Sequence, residues 1–281
     1  LQPGSIIRVS RVKKGWTLSQ IPEVQAGFIS VNFDTGAVKS LVGGFDFYLN
    51  MFNHVTQALR QPGSSFKPFI YSAALDKGFN PGNIINDAPL FIDPRLTGGE
   101  LWEPRNDDNK FDGPMSLAMA LRKSKNLVSI RVMQAIGARY AQEYVSKFGF
   151  DPSRTPAQLT TALGAGSTTP WEMAAAFSVF ANGGYRVKPY LIDKVTDVDG
   201  KVLMRVNNPK AGNETIRAID ERNAFVMHTL LNGVVSAPGG TARRAYRELK
   251  RPDMGGKTGT SNNAHDAWFA GYASHTMAVG W

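Results

Sequence analysis

Cysteine is absent from all 281 residues, which excludes disulfides, thiol catalysis and cysteine-ligated metal centres. A chain without thiols fits an oxidising compartment but does not require one. Histidine is scarce: His54, His228, His265 and His275 lie far apart, and no pair brackets a glutamate at metalloprotease spacing. A zinc hydrolase therefore has no support. No G-x-S-x-G occurs, so a Ser-His-Asp hydrolase built on a nucleophile elbow is unsupported too. The four histidines are read as structural or exposed. No run of about 18 apolar residues, the length a spanning helix needs, is present. No leader precedes Leu1, which is not Met, so the chain is read as a fragment with an upstream anchor left open.

What is there is an ordinary globular balance, 42% hydrophobic and 20% charged, enough for one large or two modest domains around a sizeable core. The net charge of +9 is scattered along the chain. Its densest group, Arg243, Arg244, Arg247, Lys250 and Arg251, carries no nucleic-acid module motif and reads as a solvated basic face. No nucleic-acid partner is expected.

Residues 1–22 mix turn residues with short apolar alternation and read as a linker or the remnant of a small β-module. Alternation over 25–32 and 38–42 around Asp34-Thr35-Gly36 predicts a hairpin. Helical spacing of Phe66, Phe69, Ile70, Ala73 and Ala74 predicts a helix over 64–77. The stretch 78–113, rich in Pro, Gly, Asp and Asn, reads as a long ordered loop, a kind that usually has a function. Helices are expected over 114–122, 127–136, 138–148, 170–181 and 220–234, and a hairpin over 190–206. Strands return at 254–260, 267–273 and 277–281. Strands at both ends and helices between predict an α+β fold: one sheet drawing on both chain ends, helices against it, a helical lobe beside it, and a cleft between.

Three short motifs carry chemistry. Ser64-Ser65-Phe66-Lys67 is an S-x-x-K, whose first and last side chains share a helix face. Serine needs a base, and lysine becomes one when desolvation or neighbouring positive charge lowers its pKa. Pro62-Gly63 before and Pro68 after mark a helix start, with its positive dipole end near Ser64. A lone match means little, because Ser10 and Lys13 give the same pattern. Ser124-Lys125-Asn126 is an S-x-N in a break between helices; its serine can relay a proton and its asparagine can hold an amide. Taken alone these would be helix caps, and Ser30-Val31-Asn32 and Ser261-Asn262-Asn263 match equally. Lys257-Thr258-Gly259-Thr260 occurs once, in a strand. Its lysine can pair with a carboxylate, its hydroxyls can hold the same group, and Gly259 can admit a ligand backbone. The bland alternative is an edge strand with a protective lysine. Order and context favour the functional reading, because penicillin-binding proteins and serine β-lactamases carry a closely similar trio.

The chain resembles the transpeptidase domain of class A, bifunctional penicillin-binding proteins over about residues 20–281. The resemblance rests on Gly36-Ala37-Val38 to Val42-Gly43-Gly44, on Arg60-Gln61-Pro62-Gly63-Ser64-Ser65-Phe66-Lys67-Pro68-Phe69, and on Leu163-Gly164-Ala165-Gly166 with Thr169-Pro170. Phe180-Ala181-Asn182-Gly183-Gly184 and Asp266-Ala267-Trp268-Phe269-Ala270-Gly271-Tyr272 extend it. It implies a DD-peptidase/serine β-lactamase-like fold with an antiparallel five-stranded sheet over residues 23–281. The family's closing helix would then lie beyond Trp281, and a glycosyltransferase domain and membrane anchor upstream, on the extracytoplasmic side of the bacterial membrane. It further implies Ser64 as nucleophile toward D-Ala-D-Ala stem peptides, Lys67 as base, Ser124 as relay and Asn126 as donor-peptide anchor. Lys257, Thr258, Gly259 and Thr260 would bind the terminal carboxylate, and the N–H groups of Ser64 and Thr260 would form an oxyanion hole. β-Lactams would act as covalent inhibitors, and neither metal nor cofactor is implied. Two departures stand out: Lys125 occupies the place of an Asp in class A β-lactamases, and His54 that of an Arg in many relatives. The alternatives are a DD-carboxypeptidase, a β-lactamase, a β-lactam sensor, or a basic structural module.

Overall fold

The computed structural model describes residues 2–93 and 102–281. Near the start, β1 (Arg8–Val12) and β2 (Gly15–Ser19) form an antiparallel hairpin exposed throughout. β3 (Phe28–Asn32) and β4 (Val38–Val42) follow. Their turn forms because the Asn32 side chain accepts from the Asp34 and Thr35 N–H groups, while Gly36 takes φ +81°. A 3-10 turn, Gly63–Phe66, then runs into α1 (Lys67–Asp76).

The expected long loop is not all loop. β5 (Ile84–Asp87) pairs with β6 (Gly113–Ser116) and ties its ends together; residues 94–101 lie outside the described part. The helix expected from 114 starts later, as α2 (Leu117–Arg122), because Ser116 caps it by accepting from the Met119 N–H. Pro114 and Met115 belong to β6 instead, where a fixed proline φ is tolerated and a two-stranded edge needs few donors. α3 (Asn126–Ile136), α4 (Ala138–Ser146) and α5 (Pro170–Ala181) complete the middle. α5 opens with a capping box: Thr169 Oγ1 accepts from Glu172 N–H and the Glu172 carboxylate accepts from Thr169 N–H. The short hairpin β7 (Lys194–Thr196) and β8 (Val202–Arg205) precedes α6 (Glu221–Ser236). The basic cluster forms a short helix that its residues did not announce, α7 (Arg243–Leu249). Arg244 pairs there with Glu248, and Arg251 just beyond it with Asp253.

β9 (Gly255–Thr260), β10 (Ala267–Ala273) and β11 (Thr276–Gly280) close the main sheet, in the order β4-β3-β11-β10-β9 with every pair antiparallel. The central strand pair is therefore made by residues more than two hundred positions apart, as sheet-building from both chain ends requires. α5 packs on β3, β10 and β11, and α6 on β9. Beneath the turn that carries Ser64 lies an aromatic cluster: Phe69 meets Phe150 at 4.8 Å and Phe148 at 5.0 Å between ring centroids, and Phe66 meets Phe150 at 5.0 Å. Phe177 and Phe180 of α5 close it from the other side. Offset and edge-on rings of this kind add to the burial of large apolar area.

Two glycines lock the turn into place. Gly63 takes φ +54°, and a Cβ there would lie 2.7 Å from the Thr260 carbonyl carbon of β9. Gly164, at φ +76°, meets Gly63 from the opposite side, where a Cβ would sit 2.6 Å from the Gly63 nitrogen. Backbone must touch backbone at both places. Replacing Gly164 with Ala adds left-handed strain to a steric collision, so Gly164→Ala is expected to lower stability by about 3 kcal/mol. Denaturant unfolding would read this as a reduced midpoint at unchanged slope.

Candidate active site

The helix that carries Lys67 does not start as a simple α-helix. Pro62 at φ −70° and the left-handed Gly63 wind the first turn tightly, and Pro68 leaves the following turn without one N–H. In a 3-10 turn the side chains at i and i+3 eclipse, so Ser64 and Lys67 point the same way. Their direct contact, expected from the sequence, is not made. Among the described residues the Ser64 hydroxyl has no side-chain hydrogen bond. Lys67 Nζ instead donates to the Asn126 side-chain oxygen at 2.6 Å, the Ser124 carbonyl at 2.6 Å and the Ser124 hydroxyl at 3.3 Å.

Lys67 is fully buried. Desolvation pulls its pKa down to about 7, against a smaller upward pull from Asp107. Lys257, on β9, is fully buried as well. Its ammonium donates to Ser124 Oγ at 2.9 Å and to the Thr258 carbonyl at 2.9 Å. Burial lowers its pKa well below the usual lysine range, and the nearby Lys67 charge lowers it further. Two lysines thus converge on one hydroxyl. Two full positive charges cannot sit there cheaply, so at least one amine is available as a base near neutral pH.

Ser124 reaches this position through a left-handed backbone, φ +59°, which non-glycine residues rarely adopt. The neighbouring residues hold it there. Lys125 turns inward, 3% exposed, and meets Asp87 at 3.3 Å, Asp108 at 3.2 Å and Asp112 at 3.2 Å. Desolvation lowers its pKa, but the hydrogen bonds to Asp108, Asp112 and Asp87 outweigh this, and the net shift is upward. Asn106, also buried, accepts from the Asn126 and Leu127 N–H groups and donates to Asp87 and the Lys110 carbonyl. The amide of Asn126 donates to the Arg105 carbonyl and to Asp107 at 3.0 Å, which orients its oxygen toward Lys67.

On β9, alternation sends Lys257 and Gly259 to the inner face and Thr258 and Thr260 to the cleft. Gly259 therefore does not admit a ligand, as the sequence suggested. A Cβ there would lie 2.8 Å from the Ser65 side chain and would strike the Pro62 carbonyl, so its missing side chain makes room for the Ser64 turn. Ser64, Ser124, Lys125, Thr258 and Thr260 line a cavity of about 380 Å³, together with Thr241, whose hydroxyl bonds that of Thr258 at 2.7 Å. A second cavity of about 310 Å³ adjoins it, sharing Asp107 and Thr260 and adding Trp102, Thr160 and Gly164. A larger one, about 540 Å³, lies elsewhere among Lys147, Arg186 and Lys188, and holds none of the motif residues.

The structure thus brings Ser64, Lys67, Ser124, Asn126, Lys257, Thr258 and Thr260 together, while two of the three look-alike motifs fall away and Ser261, just after β9, lines the second cavity. Ser10 lies in the exposed β1 and Ser30 in β3. Of the histidines, His54 is buried, bonds the Gly43 carbonyl at 2.7 Å and stacks on Trp281, while His265 is exposed. Asn106, Asp107 and Thr241 were not singled out from the sequence. The first two sit in the long loop whose length had marked it, and Thr241 follows Gly239-Gly240.

The description "Penicillin binding protein transpeptidase domain" matches residues 26–279. A penicillin-binding protein 1A of Neisseria lactamica is 47% identical over 272 residues, covering 97% of this chain and 34% of the relative. One of Pseudomonas aeruginosa is 43% identical over 328 aligned positions, covering 100% of this chain and 39% of the relative. The chain thus spans little more than a third of the length of these relatives. Among solved structures, penicillin-binding protein 1A from Haemophilus influenzae superposes with a TM-score of 0.91 at 36% identity, over 98% of this chain and 45% of that one. A D,D-transpeptidase domain from Eggerthella lenta, at 20% identity and TM-score 0.77, over 91% of this chain and 72% of that one, shares the fold. The chain belongs to the penicillin-binding protein transpeptidase domain family.

Proposed function

We propose that this chain is the acyl-transferring domain of a bifunctional, membrane-anchored peptidoglycan synthase, working outside the bacterial cytoplasmic membrane on D-Ala-D-Ala stem peptides. Residues 23–281 form that domain, and residues 1–22 the remnant of a small β-module or linker. The glycosyltransferase domain belongs to the parent protein.

Neutral Lys67 takes the Ser64 proton, directly or through Ser124. Ser64 Oγ attacks the penultimate D-Ala carbonyl, and the N–H groups of Ser64 and Thr260 receive the developing oxyanion. The C–N bond to the terminal D-Ala breaks, and the proton returns to the leaving amine through the Ser124 hydroxyl. Thr258 and Thr260 hold the terminal carboxylate, whose charge favours protonated Lys257 behind them. Asn126 holds the donor peptide. An amine of a second stem peptide then resolves the acyl-enzyme, and β-lactams, which present the same carbonyl and carboxylate, stall at that stage. The observation that carries this reading is the convergence of both buried lysines on the Ser124 hydroxyl, beside a serine with a free hydroxyl on the cleft.

Mapping a penicillin adduct is the decisive experiment. Mass spectrometry should place a stable adduct on the peptide containing Ser64, and none should form in Ser64→Ala; rapid turnover of the drug instead would mean a β-lactamase. The pH dependence follows from Lys67. Because only its neutral form accepts the proton, acylation should rise with pH through about 7, the lowered pKa of Lys67, and level off above it. Lys67→Arg, which stays charged, should acylate about 10²-fold more slowly or worse across that range. A flat profile for the unaltered chain would remove Lys67 as the base.

A further inference from the structure

Asp107 stands apart among the carboxylates near the cleft. Asp108 is neutralised by Lys125 at 3.2 Å, and Glu103 lies 3.7 Å from Arg105. Asp87 and Asp112 are also bound to Lys125. Among the described residues Asp107 has no ion-pair partner: its carboxylate accepts one hydrogen bond, from the neutral Asn126 amide at 3.0 Å. It is exposed, and it lines both the cavity that holds Ser64 and the adjoining one that runs past Thr160 and Gly164. The threonines and lysine that suit a carboxylate lie on the β9 side of Ser64. Asp107 offers the opposite sign where the second cavity begins.

We propose that Asp107 captures the ammonium group of the acceptor substrate and delivers its nitrogen to the acyl group on Ser64, so that the adjoining cavity is the acceptor side of the site. This inference rests on the acyl-transfer reading above. An acceptor amine arrives protonated at neutral pH, and a carboxylate that retains unused lone pairs binds it while a second partner removes a proton. The ammonium gives its first proton, by way of the Ser124 hydroxyl, to neutral Lys67, which later returns it to solvent by the same hydroxyl. The freed nitrogen attacks the ester carbonyl carbon, the C–N bond forms, the C–O bond to Ser64 breaks, and the second nitrogen-bound proton goes to Ser64 Oγ. Asp107 itself gains and loses nothing; it determines which nucleophile waits at the ester. Without it, water competes on more equal terms.

The test is the partition of the acyl-enzyme, which does not depend on how fast that intermediate forms. The chain is acylated with an acetyl-capped peptide ending in D-Ala-D-lactate. It is then offered either a short peptide with one free lysine-type ε-amine, cationic at neutral pH, or hydroxylamine, which is neutral there. Transfer and hydrolysis products are counted by mass spectrometry. In Asp107→Asn, which keeps an oxygen for the Asn126 amide, the ratio of transfer to hydrolysis should fall about ten-fold or more for the cationic acceptor. It should change little for hydroxylamine, and Asp107→Glu should restore much of the loss. Equal loss with both acceptors, or an unchanged ratio with the cation, overturns the acceptor role while leaving Ser64 as nucleophile. Failure of the unaltered chain to form an acyl-enzyme overturns the acyl-transfer reading and this inference together.

Discussion

Two lysine side chains buried on one hydroxyl govern this structure. Lys67 and Lys257 are both without solvent exposure, and both reach Ser124 Oγ. Taking either out of water as a cation costs several kcal/mol, even after relaxation. The fold meets that demand by lowering the proton affinity of both lysines and surrounding their nitrogens with fixed acceptors: two carbonyls, an amide oxygen and the shared hydroxyl. The lowered proton affinity of both amines is a consequence of that burial.

That arrangement asks for rigid support from three distant parts of the chain. The Ser64 turn is held by backbone-to-backbone contact with β9 and the loop around Gly164. The S-x-N turn is held by Lys125 on three carboxylates and by Asn106. Arg60 and Asp266, joined at 2.6 Å and backed by the Trp281 indole, tie the strand after β9 to the residues ahead of Ser64. Removing the Lys125 ammonium would strand a fully buried Asp87, a kind of change that costs about 3–5 kcal/mol. Charge pairing in this protein positions chemistry more than it adds net stability.

Much of this was legible in the residues, and the exceptions have physical reasons. α4 and β11 follow their apolar periods closely, because each buries one face against the core, whereas α1 is buried on nearly every side and β9 carries no large apolar residue. Ser64 could be told from Ser10 because Pro62, Gly63 and Pro68 announce a helix start, and Ser10 lacks that setting. What stayed hidden depends on contacts across the chain. Gly259 looked like an opening for a ligand, yet the space its missing side chain leaves belongs to Pro62 and Ser65. Lys125 read only as a departure from a β-lactamase pattern, since nothing local says that three acids wait for it. Pro114 and Met115 read as helix because their strand partners lie thirty residues upstream. The 3-10 start at Gly63 and the left-handed Ser124 are backbone choices that no side-chain pattern encodes.

The aromatic cluster under Ser64 gives the site an unusual place in the hierarchy of local motions. Active-site segments are commonly drawn from the parts of a protein that open most easily. Here Phe66 and Phe69, within five residues of Ser64, pack into the same ring stack as Phe148, Phe150, Phe177 and Phe180. The amide hydrogens of α1 should therefore exchange with solvent only when the whole domain unfolds. Under the proposed function, any group that reaches Ser64 would meet a serine whose surroundings are as firm as the core.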